Sequence, residues 1–203
     1  LVLAGAGSGK TRALIYRIAY LLETKKAQPH EILAVTFTNK AAGEMKERVG
    51  SLVMHKFPIP KAICTFHSLG ARILREQGET IPRSKSFTIC DSGDSERLIK
   101  SAMDDLEISR KEHSPSKIRN KISQAKMSRL KPADIRDSEQ RDSEMIAAIF
   151  SRYEKLLARN DAYDFDDLII RPIDLLEAHP GLRHSYQQKW RYISVDEYQD
   201  TNP

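Results

Sequence analysis

Two residue pairs at opposite ends of this 203-residue sequence carry chemistry in their types and spacing. Lys10-Thr11 closes the run Ala4-Gly5-Ala6-Gly7-Ser8-Gly9, which follows the apolar Leu1-Val2-Leu3. Glycines take dihedrals that a Cβ forbids, so successive N–H groups can turn onto one anion. A helix beginning at Lys10 adds unpaired N–H donors and the positive end of its dipole. In this P-loop order, residues 4–11 cradle a nucleotide, with Lys10 reaching the β- and γ-phosphates and the Thr11 hydroxyl holding Mg²⁺. Ala4 stands where that pattern has its first Gly, which costs little if the backbone there needs no positive φ. The other pair, Asp196-Glu197, ends the apolar stretch Arg191-Tyr192-Ile193-Ser194-Val195. Its first carboxylate can hold Mg²⁺ and its second can polarise the water that attacks a γ-phosphate. Both pairs must then lie at the same edge of one sheet, so the two ends of the sequence must converge.

The intervening elements are those such a sheet requires. Apolar residues at Leu14, Ile15, Ile18, Ala19, Leu21 and Leu22 predict a helix after Thr11. Ile32–Phe37 reads as a strand buried on both faces, followed by a helix capped at Thr38 or Asn39 with Ala42, Met45, Val49 and Leu52 inward. After Pro58 and Pro60 comes a strand over Ala62–Phe66, then a helix with Leu69, Ile73 and Leu74 inward. Alternation of strand and helix predicts an α/β fold: a P-loop, parallel sheet flanked by helices. From about Ser68 to Lys189 helical patterns dominate, apart from a short strand at 87–89. One helix starts near Asp164, with Asp164 and Asp167 as a capping pair and a kink at Pro172. The expected organisation is a sheet domain of residues 1–67 and 190–203 carrying an all-helical inserted subdomain, 68–189.

Bulk properties agree with a nucleic-acid partner without requiring one. The net charge is +5, with 40% hydrophobic and 30% charged residues, as in a soluble globular protein. Cys64 and Cys90 have no paired-ligand spacing, so neither a disulfide framework nor a zinc site is expected. No run is apolar and long enough to span a bilayer, and the expectation is a cytoplasmic protein with no membrane partner. The sequence opens within a strand without Met, which suggests a fragment of a larger protein. Between Arg110 and Lys131 eight basic residues, including Lys126, face the single acid Glu112. This run is either a contact for a phosphate backbone or a solvated helix face.

Five blocks together resemble the UvrD/Rep/PcrA family of superfamily 1 DNA helicases. They are Ala4 to Thr11, Ala34 to Ala42, Thr65 to Ser68, Asp164 to Leu168 and Val195 to Asn202, in family order over essentially the whole sequence. The resemblance implies an enzyme, an ATP-dependent DNA helicase with ATP and Mg²⁺ as cofactors, working in DNA repair or DNA replication. Its sheet domain would be RecA-like. Carried over, Lys10 binds phosphate, Thr11 and Asp196 hold Mg²⁺, and Glu197 is the catalytic base. Thr36, Phe37, Thr38, Asn39, Thr65, Phe66 and His67 fall in blocks that the family uses to touch single-stranded DNA. Stacking of a base on Phe37 is physically reasonable there, while the plainer alternatives are a core side chain for Phe37 and a helix cap for Asn39. The implied partners are single-stranded and duplex DNA, with protein loading partners unknown and 3′–5′ movement. The alternatives are the motor portion of a helicase-nuclease and a nucleotide-switched regulatory module. A fragment without the second RecA-like domain is expected to be inactive as a helicase.

Overall fold

The computed structural model describes residues 9–54, 56–78, 80–136 and 142–200. The expected first strand and most of the glycine loop, Ala4, Gly5, Ala6, Gly7 and Ser8, lie outside the described residues. In chain order the elements are α1 (Lys10–Glu23), β1 (Ile32–Thr36), α2 (Asn39–Leu52), β2 (Ala62–Thr65), α3 (Phe66–Glu76), β3 (Thr88–Cys90) and α4 (Ser92–Asp105). There follow α5 (Pro115–Met127), α6 (Pro132–Arg136), α7 (Ser143–Arg159), β4 (Ala162–Asp164), α8 (Phe165–Ala178), α9 (Pro180–Lys189) and β5 (Tyr192–Val195). The chain divides into two units, one of residues 1–69 and 176–203 and the other of residues 70–175.

The first unit is built on a parallel sheet in which β1 lies between β2 and β5 among the described residues. All five residues of β1 are buried, as an apolar run covered on both faces should be. Its core joins Ile15, Ile18 and Leu22 of α1 and Met45 and Val49 of α2 to Ile32, Ala34 and Ile63 of the sheet. Sequence patterning places α9 in the insertion, but α9 packs with the single turn at Pro29–Glu31 in the sheet unit. At its end Tyr186 and Trp190 stack with ring centroids 5.1 Å apart.

The second unit holds α4, α5 and α7 around Ile99, Met103, Ile122, Ile149 and Phe150. It is not purely helical: β3 and β4 pair in parallel over Thr88↔Ala162 to Cys90↔Asp164. Three residues, Ala-Tyr-Asp, are too few to show a period of two, so β4 is silent in the sequence. The cap beyond it is the expected one. Asp164 accepts from the Asp167 N–H at 2.8 Å, while the Asp167 carboxylate accepts from the Asp164 N–H at 3.4 Å. Pro172 lies inside α8 and lacks the N–H that would satisfy the Leu168 carbonyl. That carbonyl faces Gly70 of α3 so closely that a Cβ built on Gly70 would lie 1.7 Å from its oxygen.

Candidate functional site

The N-terminus of α1 and the end of β5 meet. Gly9 caps α1 in the left-handed region, φ 86°, where a side chain would be strained. The helix therefore starts at Lys10 and presents Lys10 and Thr11 toward the sheet edge. The register sets β5 beside β1, Val35↔Val195, and the Asp196 N–H donates to the Val35 carbonyl at 2.9 Å. Asp196 thereby becomes a continuation of the strand, 6% exposed. The Thr11 hydroxyl lies 3.1 and 3.3 Å from its two carboxylate oxygens. Glu197 turns out of the strand with φ 50°, a left-handed backbone that is uncommon for a side chain of this size. Its carboxylate lies 3.9 Å from the Lys10 ammonium. A hydroxyl and a buried carboxylate with shared oxygen chemistry suit a hard, oxygen-seeking cation such as Mg²⁺. An ammonium at the same edge suits a phosphate.

A cavity of about 460 Å³ opens beside these groups, lined among others by Thr11, Asp196, Glu197, Thr36, Phe37 and Thr38. The remaining sequence-derived residues separate by exposure. Thr36 and Thr65 are paired across β1 and β2 and buried, at 2% and 5% exposure. The Thr65 hydroxyl accepts from the Ser68 N–H at 3.1 Å at the start of α3. Both threonines thus sit at the strand ends behind the exposed residues of their blocks, Thr36 also lining the cavity. Phe37, Thr38, Asn39 and His67 are exposed and Phe66 is half-buried. Phe37 is thus no core residue; its ring leans on Phe66 at 5.4 Å between centroids. The helix cap is Thr38, whose hydroxyl accepts from the Ala41 N–H at 3.1 Å, which leaves Asn39 as the first helical residue.

In the second unit, Lys126 departs from its expected place in a basic surface. It is 5% exposed, with its ammonium 3.0 Å from Glu154, 2.8 Å from Asp164 and 2.9 Å from Asp167. Arg171 adds bonds of 3.0 Å to Asp167 and 2.9 Å to Glu154, and the Tyr153 hydroxyl donates to Asp164 at 2.8 Å. Burial alone would lower the Lys126 ammonium, but Asp167, Asp164 and Glu154 outweigh it and hold it above its ordinary value. Asp167 is pushed up to about 6, by burial first and then by its neighbouring carboxylates, against the pull of Lys126. Arg110 and Arg129 of the same run are paired with Asp104 and Asp174. Lys111, Lys117, Lys121 and Lys131 remain exposed.

A parallel α/β sheet that brings Lys-Thr from a glycine-capped helix against Asp-Glu from a strand end has the arrangement of the P-loop class of nucleotide-binding folds. The chain belongs to the UvrD/REP helicase N-terminal domain family, whose description matches residues 1–203. Among its relatives are proteins named ATP-dependent DNA helicase PcrA. That of Staphylococcus aureus strain Mu50 is 46% identical, that of Staphylococcus epidermidis 45% and that of Leuconostoc citreum 43%, each over the whole of this chain. The chain spans 27–28% of the length of these curated relatives.

Proposed function

We propose that this chain is the ATP-binding part of an ATP-dependent DNA helicase that translocates on single-stranded DNA in the 3′–5′ direction and unwinds duplex. The observation that carries the reading is the meeting of Lys10 and Thr11 with Glu197 and Asp196 across 185 or more residues of sequence. Residues 4–11 would bind the triphosphate. Thr11 and Asp196 would hold Mg²⁺, which when bound supplies positive charge to the β- and γ-phosphate oxygens. Lys10 leaves its ion pair with Glu197 for the phosphates and neutralises charge gathering on the γ-phosphoryl group. Glu197, so released, orients a water and accepts its proton. The water oxygen bonds to the γ-phosphorus as the bond to the bridging oxygen breaks.

Thr36, Phe37, Thr38, Asn39, Thr65, Phe66 and His67 would form the single-strand contact at the same sheet edge, Phe37 by stacking on a base and the two buried threonines by fixing the strand ends that carry the others. Lys111, Lys117, Lys121 and Lys131 on the insertion would touch the phosphate backbone. The sheet unit would be RecA-like and the unit of 70–175 its inserted subdomain. The expected setting is the cytoplasm, in repair or replication; none of the helices among the described residues is long and apolar enough to cross a membrane. The chain alone, without a second motor domain, would not unwind DNA. The deciding experiment measures ATP hydrolysis by the full-length protein with and without single-stranded DNA. Stimulation supports a motor. Hydrolysis indifferent to DNA would favour a nucleotide-switched regulatory module and overturn the proposal.

A further inference from the structure

Besides the Lys10–Glu197 and Thr11–Asp196 pairs, hydrogen bonds among the described residues join β5 to α1 and to the turn that follows it. The Tyr192 hydroxyl donates to the Lys26 carbonyl, just past the end of α1, at 2.8 Å. Between the two ends, Arg17 donates from one guanidinium nitrogen to the Ser194 hydroxyl and, at 3.4 Å, to the Ile193 carbonyl. Arg17 is seven residues from Lys10, two turns on, so both side chains leave the same face of the helix. Ser194 is two residues before Asp196, so both point to the same side of the strand. The contacts therefore run in order, Lys10 to Glu197, Thr11 to Asp196, Arg17 to Ser194 and Lys26 to Tyr192. This is the ladder expected of a helix lying antiparallel to a strand.

Of these contacts only Arg17–Ser194 lies between the site and the far end of the seam, and Ser194 is 7% exposed. Removing the guanidinium would leave a buried hydroxyl without this partner and let α1 shift along the strand. A shift of that kind changes how far Lys10 and Thr11 stand from the two carboxylates, where misplacement by about 1 Å can cost on the order of 100-fold in rate.

We propose that Arg17, through Ser194, is a positioning residue that sets the register of α1 on β5 and so the spacing of the phosphate-binding and acidic pairs. The role rests on the ATP-hydrolysing reading of the site. It gives Arg17 no contact with nucleotide; its effect passes through the helix.

The test uses the full-length protein with Arg17→Met, Ser194→Ala and the double variant. Three quantities are measured: kcat for ATP, the Mg²⁺ concentration that half-saturates binding of a fluorescent ATP analogue, and affinity for that analogue without Mg²⁺. Either single change should lower kcat about 10-fold and raise the Mg²⁺ requirement about 3-fold, with Mg²⁺-free affinity unchanged. The double variant should be no worse than either single one. Arg17→Lys keeps a donor on a long stem and should return kcat to within about 3-fold of the original. It also serves if Arg17→Met does not fold. A purely stabilising role would lower the unfolding temperature and leave the Mg²⁺ requirement in place, and that result, or additive losses in the double variant, overturns the proposal. If the unmodified protein hydrolyses ATP and the variants match it, only the positioning role fails. If the unmodified protein hydrolyses none, the underlying reading fails instead.

Discussion

Replacing Lys126 by Met removes one buried ammonium from among three carboxylates. At separations of 2.8–3.0 Å and an effective dielectric near 20, each attraction is about 6 kcal/mol before desolvation. Desolvation of the ions cancels most of that sum, which is why an intact buried network adds little net stability. Breaking it differs, because both aspartates stay buried, Asp167 beside Arg171 and Asp164 with the Tyr153 hydroxyl as its side-chain donor. Loss of one member of a buried pair costs about 3–5 kcal/mol. For a chain of this size that is a fall in Tm of roughly 6–20 °C. The assay is urea and thermal unfolding of the 203-residue chain, followed by circular dichroism.

The pH dependence sharpens this prediction. Asp167 already holds its proton more tightly than an ordinary carboxyl, being raised to about 6. Its contribution is therefore fully present below the unfolded value near 4 and is lost as pH rises through 6. Without Lys126 Asp167 rises further and Asp164 loses the ammonium that holds it below its ordinary value, so the penalty should grow from pH 5 to pH 8. A loss below about 1 kcal/mol, or one equal at both pH values, would refute the reasoning.

Gly70→Ala should destabilise the chain by about 3 kcal/mol in the same unfolding assay, since its Cβ would meet the Leu168 carbonyl, a backbone group that cannot rotate away. A change under about 0.5 kcal/mol would contradict that packing. Phe37→Ala in the full-length protein should weaken single-stranded DNA binding by about 1–3 kcal/mol, read by fluorescence anisotropy. The slope of affinity against salt should stay the same, because no charge is removed. Unchanged affinity would return Phe37 to a packing role on Phe66.

The parts legible in the sequence were those whose chemistry is local. Lys10-Thr11 and Asp196-Glu197 each announce themselves within a few residues, and their meeting follows from the rule that strands and helices alternate in parallel sheets. The cap at Asp164 was legible for the same reason, since its partner Asp167 is three residues away. What failed depended on burial. Lys126 sits in a run of basic residues and counts as surface charge until three carboxylates from α7, β4 and α8 are folded around it. Arg17 does have a signal in the sequence. Its spacing of seven from Lys10 marks it as sharing the site's helix face, but hydrophobic periodicity counts only the opposite stripe.

The central claim is that the two ends of the chain join around one metal-bound triphosphate, with Glu197 activating water. Its most direct test is single-turnover ATP hydrolysis by Glu197→Gln in the full-length protein, measured beside its affinity for ATP. The account predicts affinity within about 2-fold of the original and hydrolysis slowed by at least about 100-fold, as loss of a general base requires. Hydrolysis at the original rate would contradict it.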